Sequence, residues 1–207
     1  MNIAMVTDTW LPTKDGVVNS IIQFRESLEE LGHQVYVFAP GKENKVSEKD
    51  DNVFFFKSKI FRQYPDYRIA FYPTGRTKEL LLEKDIDVIH NHGMGFMAVR
   101  AMVASKFLEL PCVFNFHTWV TDALHYSPVH LPDSLLERLA WIYLRYLLRR
   151  SDTVIAPSEK TLKDLKGRCS NMHNSTVVAP PIDRSRYNKE VDGDSIRKKW
   201  GLEDKTM

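Results

Sequence analysis

The sequence predicts an α/β fold, doubly wound around a mostly parallel sheet. Three observations carry that expectation. Short apolar runs alternate with longer stretches whose apolar residues recur every three or four positions, as strands alternate with amphipathic helices. Most of the short runs are apolar without a break, as in strands whose sheet is covered on both faces. Glycine, proline and polar clusters fall between the runs, where the chain must turn.

Asn2 to Thr7 is long enough for one buried strand and too short for a helix. Asp8, Thr9, Pro12, Thr13, Lys14, Asp15 and Gly16 interrupt it. A helix follows from Val17 to Leu31, with Val18, Ile21, Ile22, Leu28 and Leu31 at helical spacing and Gly32 as the stop. Gln34 to Ala39 is a strand ended by Pro40-Gly41, and Lys42 to Asn52 is a charged, solvated loop. Val53 to Lys57 is the third strand. Ile60 to Pro73 reads as irregular, and Thr77 to Lys84 as a short helix. Asp85 to His90 is a strand, Gly95 to Leu108 a helix, and Leu110 to Phe116 a strand that Pro111 suits near its start. His117 to Pro132 is a long polar and aromatic loop. Ser134 with Glu137 predicts a capping box for a helix from Leu135 to Arg150. Thr153 to Ala156 is a strand, Glu159 to Lys166 a helix, and Thr176 to Ala179 the last strand. About six or seven strands joined by right-handed crossovers make a Rossmann-like sheet.

After Pro180-Pro181 the chain turns charged and loses apolar residues, with one amphipathic turn at Ile196, Trp200 and Leu202. The expected organisation is one domain over residues 1–183 and a linker over 184–207. The chain stops at Lys205-Thr206-Met207 without a terminating feature, which predicts a truncated protein.

Composition narrows the function. In a chain of 207 residues, 43% hydrophobic and 27% charged residues are ordinary for a soluble globular domain. A net charge of +2 argues against a general polycation and against nucleic acid as a partner. Two cysteines, Cys112 and Cys169, make no disulfide framework and suit a reducing cytoplasm; Cys112 lies in an apolar run and reads as core. Asp8 cuts the first apolar run too short for a signal peptide, and no stretch approaches the ~20 apolar residues of a membrane span.

In a doubly wound sheet, ligands bind beyond the carboxyl ends of the strands. The residues just past those ends are Asp8, Thr9, Asp15 and Gly16; His90, Asn91, His92 and Gly93; His117, Thr118 and Trp119; Pro157, Ser158 and Glu159; and Pro180 and Asp183. A glycine where a helix begins lets a phosphate or sugar approach backbone N–H groups at the positive end of the dipole. A zinc site on His90, His92 and His117 lacks a further Cys or carboxylate at suitable spacing. A nicotinamide dinucleotide site needs G-x-G-x-x-G after the first strand, and Thr-Lys-Asp-Gly-Val-Val does not supply it. A sugar or sugar-phosphate site remains, needing backbone N–H groups and a few His, Asn, Asp and Thr side chains.

The stretches TDTWLPTKDGVVNSI, GHQVYVFAP, DVIHNHGMG, FNFHTW and VIAPSEKTLKDL, in this order and spacing, resemble the N-terminal domain of retaining GT-B glycosyltransferases of family four. The resemblance spans roughly Met1 to Asp183 and is nearest to phosphatidylinositol mannosyltransferases and diacylglycerol glucosyltransferases. It implies the N-terminal, acceptor-side half of a GT-B fold that moves a hexose from a nucleotide-sugar to a lipid or other hydroxyl acceptor. It implies no cofactor and no bound metal. Gly16 and Val17 would face the donor diphosphate and the acceptor, and His117 the transferring sugar near its reactive carbon. Asp8, Asn91 and His92 would line the acceptor side, Asp15 and Thr118 would belong to the same donor and acceptor site, and Ser158 would begin a helix near the interdomain cleft. The paired glutamates that hold the donor would lie in a C-terminal domain absent here, leaving this chain inactive alone. The sequence departs from the family at Asp15-Gly16, where two glycines are common, and at Pro181, where glycine is usual. The alternative is a non-catalytic α/β lobe that binds membranes or a partner protein.

Two stretches mix basic and aromatic residues. One, Lys57 to Lys78, carries Arg62, Arg68 and Arg76 among Phe61, Tyr64, Tyr67, Phe71 and Tyr72 and suits an anionic membrane surface as well as it suits a folded core. The other, Leu135 to Arg150, carries Arg138, Arg145, Arg149 and Arg150 among Trp141, Tyr143 and Tyr146; it is a second candidate for such a surface, and its apolar content favours core. The expected location is cytoplasmic, peripheral at the inner face of the membrane.

Overall fold

The computed structural model describes residues 1–62, 64–70, 75–119, 132–182 and 192–202. In chain order the elements are β1 (Asn2–Val6), α1 (Gly16–Glu30), β2 (Gln34–Gly41), β3 (Lys45–Val46), β4 (Val53–Lys57), β5 (Lys59–Phe61), β6 (Tyr64–Ile69) and α2 (Gly75–Glu83). There follow β7 (Val88–Asn91), α3 (Phe96–Leu108), β8 (Cys112–Asn115), α4 (Asp133–Arg150), β9 (Thr153–Ala156), α5 (Glu159–Arg168), β10 (Asn174–Val177) and α6 (Asp194–Trp200).

Eight strands form one sheet in the order β10-β9-β8-β7-β1-β2-β4-β3, all parallel except the edge strand β3. The expected parallel α/β sheet is present, and its residues show why. Along β1, Ile3 and Met5 join Ile21, Val35 and Val37 on the face under α1. Ala4 and Val6 turn the other way, into a larger cluster with Phe38, Ile89, Phe114 and the apolar sides of α2, α3, α4 and α5. A strand with both faces buried has no polar side to show, hence the unbroken apolar run. Gly32, at φ 82°, takes the left-handed conformation just past α1 that a side chain would strain.

The structure departs from expectation in several places: the sheet has eight strands instead of about six or seven, and β7 begins at Val88 where a strand from Asp85 was expected. The charged loop contains β3, whose two residues are too few to show a period. The stretch read as irregular is the antiparallel pair β5–β6, where Pro65 and a register shift between Ile60 and Phe61 spoil the alternation. The last strand lies two residues earlier than expected, over Asn174–Val177. The capping box does not form: α4 starts at Asp133 with Pro132 as its N-cap and no side-chain cap. The Pro132 carbonyl instead accepts the N–H groups of Leu135 and Leu136 at 2.9 and 3.1 Å.

Helix α4 was expected to be core, and one face of it is. Ala140, Trp141, Leu144, Leu147 and Leu148 are buried. Its outer face carries Leu135, Leu139, Ile142 and Tyr146, each at least 40% exposed. Cys112 and Cys169 are both buried free thiols.

The sheet edges differ from one another. One is β10, whose Asn174 and Thr176 are exposed. The other is β3, with Lys45 paired to Glu48 at 2.8 Å and to Glu43 at 3.6 Å.

The chain leaves β1 toward β2 on one side and returns to β7 on the other. The loops after β1 and β7 therefore diverge, and a crevice opens between them at the carboxyl ends of the strands.

Candidate functional site

Loops following β1, β7 and β8 meet at this crevice. In the first, Thr9 Oγ1 donates to Asp15 Oδ2 at 3.0 Å, and Asp15 Oδ1 accepts the Val18 N–H at 2.8 Å. Asp15 is thus the N-cap of α1. A carboxylate occupies part of the helix terminus where the sequence suggested only an open anion site. Gly16 beside it is exposed, and a Cβ there would meet nothing within 4 Å.

Asp8 turns inward. It is 5% exposed; Oδ2 accepts the Gly95 N–H at 2.6 Å and Oδ1 the Met97 N–H at 2.9 Å. Tyr67 Oη also hydrogen-bonds to it. The carboxylate sits at the first turn of α3, where the dipole favours negative charge. Burial nonetheless raises its pKa, outweighing the hydrogen bonds that lower it. Burial, and then the Asp8 charge, pushes the Tyr67 phenol well above its usual value. Gly93 and Gly95 let the loop close over this carboxylate: a Cβ on Gly93 would lie 2.1 Å from Asp8 Oδ2, and one on Gly95 2.1 Å from Tyr67 Oη. Asp8 therefore fastens three segments together.

Asn91 is likewise committed. It is fully buried, its Oδ1 accepting from Gly93 N at 3.2 Å and its Nδ2 donating to Gly93 O at 3.3 Å. It shapes the turn and does not face the crevice. Tyr143 of α4 donates to Met94 O at 2.7 Å and holds the same loop from below.

The histidines form a stack. The His90 and His92 ring centroids are 4.1 Å apart, and those of His92 and His117 5.2 Å. His92 Nδ1 lies 3.0 Å from His117 Nε2 and 3.4 Å from Asn115 Nδ2. Phe24 of α1 packs on His90 and His92 at 5.7 and 5.9 Å. His90 and His92 are buried, and His117 is half-buried at the outer end. Burial pushes His90 and His117 down to about 4 and holds His92 well below its usual value; for His117, the Asp15 charge acts in the opposite direction. All three are neutral at pH 7. Among the described residues, no group of three or more His, Cys, Asp or Glu could hold a metal ion.

These depressed values make stability depend on pH. Between about pH 6.5 and pH 4, unfolding lets each imidazole take up a proton that the folded state excludes, so the stability from neutral burial is present above pH 6.5 and lost on acidification. Each histidine should contribute up to about 1.4 kcal/mol per pH unit in that window. Urea unfolding at pH 7, 6 and 5 should show a steep fall in stability, and a flat profile would contradict neutral burial.

Thr118 is exposed beside His117. Ser158 is the N-cap of α5, its Oγ accepting the Thr161 N–H at 3.2 Å. Of the basic stretch, Arg62 is exposed, but Arg68 is tied to Ser58, with Nε to Oγ and a terminal N–H to the carbonyl, both at 2.9 Å. Arg76 is half-buried, and its Nε has no hydrogen-bond partner. Phe71, Tyr72, Asp183 and most of the loop after Trp119 lie outside the described residues. An open cavity of about 880 Å³ lies at the other end of the sheet, against Lys106, Phe107, Tyr146 and Arg149, away from all these groups.

Tyr67, Asn115 and Tyr143 were not anticipated in these roles. The pair Gly93 and Gly95, closing a strand-to-helix loop, was the available signal for the close approach of Asp8.

The sequence model of Glycosyltransferase Family 4 matches residues 14–186. An alpha-monoglucosyldiacylglycerol synthase of Streptococcus pneumoniae is 26% identical over 99% of this chain and 46% of its own length. A GDP-mannose-dependent alpha-mannosyltransferase of Mycobacterium tuberculosis is 26% identical over 100% of this chain and 54% of its own. A phosphatidyl-myo-inositol mannosyltransferase of Mycolicibacterium smegmatis is 32% identical over 61% and 33%. The chain spans about half the length of the first two of these curated relatives. Among solved structures, sucrose-phosphate synthase of Thermosynechococcus elongatus superposes with a TM-score of 0.64, at 13% identity over 98% of this chain and 53% of that one. Anabaena Alr3699/HepE in complex with UDP-glucose gives 0.60, at 16% identity over 97% and 50%. Both show the same fold.

Proposed function

Since this chain belongs to glycosyltransferase family 4, we propose that the full-length protein transfers a hexose from a nucleotide-sugar to a lipid hydroxyl, with retention at the anomeric carbon. In this reading residues 1–183 are the acceptor-side domain, and a second domain beyond residue 207 holds the donor. The observation that carries the reading is the placement of His117. It follows β8, stands half-buried at the crevice between the diverging loops, and is neutral. A neutral imidazole there hydrogen-bonds a sugar hydroxyl and holds the ring as its diphosphate leaves. The open space over Gly16 and the N-terminal end of α1 admit the diphosphate and acceptor beside Val17. In this reading Thr118 and the start of α5 at Ser158 would serve the same donor and acceptor site, while Asp8, Asn91 and Asp15 hold loops in place.

A lipid acceptor puts the domain at a membrane surface. The exposed Arg62, Lys59 and Lys78 are suited to the anionic inner face, and Arg68, engaged with Ser58, contributes to the fold instead. Among the described residues, no helix is long and apolar enough to cross a membrane. The test is transfer of labelled sugar by full-length protein from UDP-glucose and GDP-mannose to vesicles containing diacylglycerol or phosphatidylinositol. Transfer from either donor supports the reading. No transfer across a donor panel, with vesicle binding intact, would favour a non-catalytic membrane-binding lobe.

A further inference from the structure

His92 is buried behind His117, with its Nδ1 turned toward that ring. We infer that His92 is a positioning residue: its Nδ1 accepts the Nε2–H of His117 and so fixes the tautomer in which His117 Nδ1 is bare. This rests on the reading that His117 serves the transfer.

The distance between the two nitrogens, 3.0 Å, is that of a hydrogen bond. Two neutral imidazoles can share one proton there, and the neighbours of Nδ1 decide which ring owns it. The Asn115 amide nitrogen faces the same Nδ1 at 3.4 Å. A proton on His92 Nδ1 would be turned against that amide N–H, whereas a lone pair on Nδ1 receives both donors. His92 then carries its own proton on Nε2. That atom is buried without a hydrogen-bond partner, in a ring packed against His90 and Phe24. An N–H among aromatic faces keeps weak acceptors, while a lone pair there would have none to meet.

The ring is held from several sides. The His92 N–H donates to Val6 O at 2.8 Å, extending the β1–β7 pairing. At 3% exposure the side chain has no route to a substrate, so its effect passes through His117. With Nε2–H committed inward, the nitrogen left to His117 is an acceptor, Nδ1, which suits a sugar or acceptor hydroxyl that must donate. The same logic governs other histidines whose second nitrogen is held by a buried partner.

The first measurement is a long-range ¹H–¹⁵N correlation spectrum of this chain with labelled histidine at pH 7. His117 is expected to be protonated at Nε2 and bare at Nδ1; the opposite tautomer in the wild-type protein overturns the inference, whatever the variants do. The second measurement is transfer from UDP-glucose and GDP-mannose by the full-length protein. His92→Phe should lower kcat about tenfold with KM changed by less than about twofold, and the His117 tautomer preference should be lost. His92→Asn places an oxygen near the position of Nδ1 and should recover most of the turnover. Equal losses in the two variants overturn the positioning role. Full activity of His92→Phe beside an inactive His117→Ala also overturns it and leaves the function reading intact. Full activity of His117→Ala removes that reading and this inference together.

Discussion

Replacing His117 by Ala should cut turnover of the full-length protein at least about tenfold, a loss of ~1.4 kcal/mol in transition-state binding, with little change in melting temperature. His117 is half-buried at the outer end of the imidazole stack. Its removal leaves the His92–His90 pair and Phe24 in contact, so the core beneath is kept. In a retaining transfer, positive charge develops on the sugar as the diphosphate departs. A group that fixes the sugar in its reactive pose then acts mainly on kcat. If His117 were only structural, stability would fall first and activity would follow the folded fraction. Thermal unfolding and initial rates measured on one variant separate the two, and a well-folded, fully active His117→Ala would remove His117 from the site.

Asp8→Ala should show the reverse pattern. It removes the acceptor for the Gly95 and Met97 N–H groups and the partner of Tyr67 Oη at a place without solvent. Each orphaned donor costs about 1–3 kcal/mol, and release of a carboxylate that burial already disfavours offsets part of the sum. The net loss should be about 3 kcal/mol, lowering the melting temperature by about 6–12 °C for a domain of this size. Asp8→Asn preserves the volume but turns an amide N–H against one of the two backbone donors, so it should fall between Ala and wild type. Calorimetry on the three proteins checks the order. A wild-type melting temperature for Asp8→Ala would mean that the Gly93–Gly95 loop does not depend on this carboxylate.

The contrast between these residues shows where sequence reading stops. The place of His117 just past a strand was legible, because the run ending at Phe116 is unmistakable. Asp8 and Asn91 occupy equivalent positions in the sequence, yet both turn inward. The alternation that tells one face of a strand from the other ends where the strand ends, so position along the chain no longer gives direction. Tyr67 was hidden for a different reason: it reaches Asp8 from a hairpin whose alternation is broken by a proline and a register shift. The sheet itself was legible, because most of its strands are largely apolar runs separated by clear helices. The edge strand β3 and the start of α4 are set by backbone hydrogen bonds that few side chains announce.

The unequal edges of the sheet bear on how this chain behaves in concentrated solution. A sheet edge is a row of open backbone donors and acceptors, ready to zip onto another copy. Here one side ends in a strand of two residues whose lysine is bridged to two glutamates, so a neighbour finds little backbone to read and charge to displace. The other ends in Asn-Ser-Thr-Val, short and mostly polar, with the Asn174 amide turned back to the Asp152 carbonyl. Neither margin offers the long, flat, greasy strip from which fibrils grow.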